Sequence, residues 1–163
     1  MHAREARTFG AATWLLMAAH DPVTAHRDWG GGDVALLRCG TLFTAVRVPL
    51  DLVETAAGTG NPWEIGVYLN EALLGGAVFT DRTAGQVYFL VLASAWGRWN
   101  VPGTECLSPG MLLGVPRPGV DQKARSHWLL EMDGPGVLCM EHAVKQLVEH
   151  ARLRAAQSVQ DGA

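Results

Sequence analysis

Cys139 and His142 stand three residues apart, the spacing that sets two ligands on one face of a helix and could begin a zinc site. No CxxC or HExxH pattern supplies further ligands, and the preferred reading is a small buried thiol beside a solvated histidine. Ser94, in Leu92-Ala93-Ser94-Ala95-Trp96, lacks the glycines that let a nucleophile sit on a strained strand-to-helix turn. Gly30-Gly31-Gly32 precedes an apolar run, whereas phosphate-cradling loops follow a strand and open a helix. Trp96 and Trp99, beside Arg98, are the best candidates for an exposed stacking platform, with packing the favoured use even there. Trp14, Trp63 and Trp128 fall inside elements where core packing is expected. Asp33, Asp51, Asp81, Glu105 and His127 are dispersed, so an enzyme built on them would have to gather its site from distant segments. No catalytic residue, metal-ligand set or cofactor is assigned.

The chain has 163 residues, enough to bury roughly two-thirds of its unfolded surface without staples. Its 48% hydrophobic and 18% charged residues describe a globular protein. A formal net charge of −3 gives no global attraction to phosphate backbones, so nucleic-acid binding would need a local basic patch. Cys39, Cys106 and Cys139 are odd in number and far apart, which favours a reducing cytoplasm over a disulfide framework. Arg4 and Arg7 precede an apolar stretch over residues 9–19 that resembles a short signal peptide, but Glu5 and an amphipathic helical pattern argue against secretion. No apolar run approaches the roughly 20 residues of a membrane span.

Phe9, Ala12, Thr13, Leu16 and Met17 predict a helix over about residues 4–20, stopped by Pro22. A polar loop then leads to Gly30-Gly31-Gly32, and runs over 34–37 and 42–48 around Arg38-Cys39-Gly40-Thr41 predict a β-hairpin. Asp51 and Glu54 have capping-box spacing for a short helix ended by Gly58. Asn61-Pro62-Trp63-Glu64 is a stronger start, for a helix to Leu74 closed by Gly75-Gly76. Strands follow over 77–80 and 86–92, the second apolar on both faces and therefore central. A short helix or loop over 94–100 and strands over 111–115 and 127–131 precede a last helix carrying Val137, Met140, Val144, Leu147, Val148 and Ala151 on one stripe. One α+β domain over residues 1–157 results, with a frayed tail over 158–163 and one mixed or mainly antiparallel sheet flanked by helices.

Three segments in order resemble the bifunctional primase/polymerase (prim-pol) domain of the archaeo-eukaryotic primase superfamily, over roughly residues 34–118. Gly40-Thr41-Leu42-Phe43-Thr44-Ala45-Val46-Arg47-Val48-Pro49 is similar to the strand that carries two alternating acids before proline, with Val46 and Val48 in the acid positions. Gln86-Val87-Tyr88-Phe89 is similar to the strand whose histidine contacts nucleotide phosphates, with Gln86 in the histidine position. Ser108-Pro109-Gly110-Met111-Leu112-Leu113-Gly114-Val115-Pro116 resembles the turn and strand near the third acid, which Glu105 does not match. Short actinobacterial proteins look similar. The residues also admit a plainer reading, in which Val46 and Val48 are inward-facing strand residues and Arg47 points the other way.

Polymerase chemistry needs carboxylates to hold divalent ions, and valines supply none. The resemblance therefore implies a prim-pol-like fold without the reaction, serving as a nucleotide- or nucleic-acid-binding or regulatory module. Gln86 and Tyr88, alternate residues of one strand, are expected to line its groove, with Arg117 meeting a phosphate and Arg47 a fourth ligand-binding candidate. The expected partner is a nucleotide or single-stranded nucleic acid held through a local patch. Two alternatives remain open: a protein-interaction or homo-oligomer module presenting the helix from Asn61 or the C-terminal helix, and an enzyme of another class.

Overall fold

The computed structural model describes residues 3–162. Strand β4 (Gln86–Val91) is the middle of a five-stranded antiparallel sheet, as its two apolar faces require. It lies between β2 (Thr44–Pro49) and β3 (Val78–Asp81), with β5 (Glu105–Cys106) and β7 (Ser126–Leu130) at the edges. On one face Val46, Val48, Val87, Phe89 and Val91 pack with the apolar sides of α3 (Leu50–Ala57), α4 (Pro62–Leu73) and α5 (Glu141–Asp161). On the other, Ala45, Phe79, Leu90 and Trp128 meet α1 (Ala3–Leu16), α2 (Pro22–Gly30) and a two-stranded ribbon of β1 (Ala35–Arg38) and β6 (Leu112–Val115). The result is a single α+β domain with the sheet as its middle layer, and no helix among the described residues is long and apolar enough to cross a membrane.

The expected hairpin between β1 and β2 does not form. β1 pairs with β6, from Ala35 opposite Val115 to Arg38 opposite Leu112, while β2 pairs with β4 and β5. The turn between them is clamped elsewhere: Cys39 N–H donates to Met111 O at 2.9 Å, and Gly110 N–H to Cys39 O at 2.8 Å. Gly40, at φ +111°, lies so close to Pro109 that a Cβ would come within 2.7 Å of it. These contacts commit β1 to the 108–115 segment, so there are two antiparallel sheets instead of one.

Helix α2 occupies what composition suggests is a loop. Asp21 accepts the Thr24 amide at 3.2 Å and Pro22 sits at the first helical position, so the start signal resembles the one that opens α4. Only Ala25 and Trp29 are buried, too few to mark a stripe. Helix α1 has a different phase from the expected one: Ala11 and Leu15 are buried, whereas Phe9 and Met17 are exposed. It ends at Leu16, and Ala19 bridges to Leu37 in extended geometry.

In α3 the capping box is unused; the helix starts at Leu50 directly after Pro49, without a side-chain cap, and Gly58 closes it at φ +74°. In α4, Asn61 Oδ1 accepts the Glu64 amide at 3.1 Å as expected, but Glu64 reaches the cap amide only through Thr59, whose hydroxyl donates to the carboxylate and accepts from Asn61 N–H, each at 3.1 Å. Helix α5 begins at Glu141, after Val137 and Met140, and continues past Ser158 to Asp161.

Helix α4 crosses β7 closely enough that a Cβ on Gly66 would come within 2.5 Å of Leu129 O. Gly66→Ala should therefore destabilise the protein by about 1–3 kcal/mol through displacement of α4. Gly30→Ala, at a helical position with nothing within 4 Å, should be neutral or gain up to about 1 kcal/mol. Urea denaturation of both variants measures the contrast.

Candidate ligand cleft

At one end of the sheet the ribbon stands away from β3, β4 and β7, leaving a cleft of about 320 Å³. Tyr88, Asp81 and Ser126 come to it from β4, β3 and β7, and Val34, Leu113, Gly114 and Pro116 from the ribbon side. Trp29 also lines it, its indole N–H fixed to Val115 O at 2.9 Å. The Tyr88 ring stacks on Phe79 at 4.9 Å between centroids and 19° between planes, and Phe79 meets Trp128 edge-on at 5.4 Å. Aromatic packing thus sets the Tyr88 ring, while its hydroxyl has no hydrogen-bond partner among the described residues.

The connection from β6 to β7 forms the rim with Arg117, Val120, Ala124 and Arg125, and it is fastened at several points. The Trp128 indole donates to the carbonyls of Pro116 and Arg117, both at 3.2 Å. Glu131 accepts the Gly119 amide with both oxygens, at 3.0 and 3.2 Å. Arg82 donates to Lys123 O at 2.7 Å and Ala124 O at 3.2 Å. Arg125 forms a two-point pair with Asp81, Nε to Oδ1 at 3.2 Å and Nη2 to Oδ2 at 3.3 Å. Burial alone would raise the Asp81 pKa, but the Arg125 guanidinium and the Ala84 and Thr83 amides outweigh it and hold the carboxyl below its ordinary value. A rim held this way is preorganised, so binding loses less conformational entropy.

Four charged side chains line the cleft: Asp33, Asp81, Arg117 and Arg125. Asp81 and Arg125 satisfy each other, whereas Asp33 and Arg117 are exposed and form no ion pair among the described residues. The cleft therefore offers one free anion receptor, one free acceptor for hydroxyl or amino groups, an aromatic hydroxyl and apolar walls.

Of the four sequence candidates, Tyr88 and Arg117 share this cleft. Gln86 and Arg47 line a separate, shallower groove with Pro49, Gly103, Thr104 and Glu105, where Arg47 is tied to Glu105 at 2.9 Å. Alternation correctly puts Gln86 and Tyr88 on one face, but the ribbon overhangs Tyr88 while the turn before β5 lies beside Gln86. Val46 and Val48 are wholly buried on the helix-covered face, opposite Arg47. Sequence reasoning missed Trp29 and Arg125; the recurrence of Arg117, Lys123 and Arg125 in one segment was the available signal.

Of the dispersed acids, Asp33 and Asp81 reach the cleft while Asp51 and Glu105 do not, and among the described residues no three His, Cys, Asp or Glu side chains lie close enough to hold a metal ion. Cys139 is buried, its thiol directed at Ala77 O and pushed up to about 12 by burial, and His142 is exposed. Trp63 is also exposed, against expectation, because it lies on the outer side of α4, whereas Trp99 is half-buried and donates to Thr104 Oγ1 at 2.9 Å. No family model, curated protein or solved structure matches the chain.

His127, beside the rim on the opposite sheet face, is fully buried; Nδ1 lies 3.1 Å from Ala124 O and Nε2 has no partner. Burial holds its pKa below the ordinary 6.5, with Arg82 adding to the effect and the Ala124 carbonyl and Asp121 opposing it. The unfolded chain then binds the extra proton first as pH falls. This contribution to stability is complete above about pH 6.5 and declines below it, by at most about 1.4 kcal/mol per pH unit. Urea unfolding between about pH 7.5 and 5.5 should show that slope, and His127→Gln should flatten it; an unchanged slope would remove His127 as its source.

Proposed function

We propose that the protein is a non-catalytic, prim-pol-like binding module that takes a single nucleotide into the cleft between Tyr88 and Arg117. The observation that carries this reading is the unpaired Arg117 guanidinium at the rim of a preorganised cleft whose floor includes Tyr88. A guanidinium matches a phosphate monoester through paired, charge-assisted hydrogen bonds. Asp33 would accept from sugar hydroxyls or a base amino group, and the apolar walls would cover the base. The cleft volume lies near the lower end of the range for small-ligand sites, which suits one nucleotide. Its four charged groups cancel, so they offer a polyphosphate or an extended strand little net attraction.

The absence of catalysis rests on residue identity. The positions that resemble the family's acids hold Val46 and Val48, and the one that resembles its histidine holds Gln86. Both valines lie inside a hydrophobic core, where no side chain reaches a nucleotide in the cleft.

Calorimetric titration with nucleoside monophosphates, triphosphates and a short single-stranded DNA tests the reading, each with magnesium and with EDTA. Monophosphates should bind equally well under both conditions and be recovered unchanged. Arg117→Ala should weaken binding about tenfold or more, and Arg47→Ala should leave it within about twofold. Metal-dependent primer synthesis, or no nucleotide binding at all, overturns the proposal.

A further inference from the structure

Helix α4 presents a second feature, independent of the cleft. Trp63, Val67 and Leu74 are 71%, 48% and 87% exposed. Trp63 and Val67 lie one turn apart and within about 40° of each other around the helix axis, a stripe directed away from the core, and Leu74, at the left-handed position just beyond the helix, adds a third exposed apolar side chain at its C-terminal end. Ile65, Leu69 and Leu73 already supply the inward face. Tryptophan on such a stripe is a residue type concentrated at the centres of protein interfaces.

Leu74 sharpens the point. It holds φ +53° and ψ +40°, and it is the only non-glycine residue at positive φ among the described residues. Glycine is the favoured residue where a helix closes in this left-handed conformation, and Gly75 follows immediately. Leucine here strains the backbone and in the isolated chain buries almost nothing in return.

The charge around the stripe identifies what would cover it. Residues 50–76 carry Asp51, Glu54, Glu64 and Glu71 and no Lys, Arg or His, and Arg154 of α5, which reaches this segment, is directed at Ala56 O of α3. Glu64 and Glu71 lie on the same flank, about 80–100° from Trp63 around the helix. In an antiparallel two-fold pairing of α4 with a second copy, this flank would meet itself and like charges would repel. An anionic lipid surface is repelled for the same reason.

We infer that the outer face of α4 docks a basic amphipathic helix of a partner protein, with apolar side chains over Trp63, Val67 and Leu74 and lysines or arginines along the Glu64–Glu71 flank. Helix-on-helix recognition of this kind is read out by anchors one and two turns apart.

The test uses the full chain and a fluorescently labelled helical peptide with leucines on one face and lysines on both flanks, followed by anisotropy. The lysine peptide should bind with saturation, and its counterpart with glutamates in place of the lysines about tenfold or more weakly. Trp63→Ala should reduce affinity about tenfold. Leu74→Gly should reduce it while raising the melting temperature, because glycine relieves the strain; loss of an exposed side chain of purely structural importance would not separate the two readouts in this way. Absence of saturable binding, equal binding of the glutamate peptide, or wild-type binding by both variants overturns the inference. A Trp63-dependent dimer of the protein alone, seen by sedimentation, overturns it in favour of self-association.

Discussion

A strand that is apolar on both faces must be covered twice, and β4 imposes that requirement on the rest of the chain. Val87, Phe89 and Val91 face α3, α4 and α5, while Leu90 and the inner side of Tyr88 face the ribbon and the N-terminal helices. Two hydrophobic clusters follow, one on each side of the sheet. At the Gln86 end the second cover ends, so Tyr88 is only half-buried although its neighbours Val87 and Phe89 are fully enclosed. The cleft lies where this cover separates from the sheet.

The elements legible in the sequence were those whose signal is local. Asn61-Pro62-Trp63-Glu64 starts a helix because cap, proline and acid act within one turn, and β4 identifies itself as central from its own residues. The signals that failed depended on distant partners. Nothing near Arg38-Cys39-Gly40-Thr41 reveals that Met111 and Pro109 will clamp the turn and divert β1 to β6. The phase of α1 was misread because Phe9 and Met17 suggest an inward stripe that Ala11 and Leu15 fill instead. Small residues permit a close approach without advertising it.

The candidate site was legible to a similar extent. Strand alternation puts Gln86 and Tyr88 on one face, but it cannot say which part of that face will be overhung by another segment. Arg117 joins Tyr88 because the Trp128 indole anchors its carbonyl beside the sheet. Arg47 is diverted by Glu105, its partner across the β2–β5 ladder. Both outcomes depend on contacts between residues far apart in the chain, which no local pattern encodes.

The β1–β6 ribbon has a kinetic consequence. Its register joins Ala35 to Val115, so while the chain is synthesised from its N-terminus β1 must wait for α3, α4 and the three central strands before its partner exists. Pairings of such long sequence separation close late and slow folding. Until then Ala35 and Leu37 lack the cover that β6 brings, and a nascent chain exposes a strand edge able to join that of another. The wall of the cleft is thus among the last parts of the molecule to exist, and the period before it closes is when the protein is most open to misassembly.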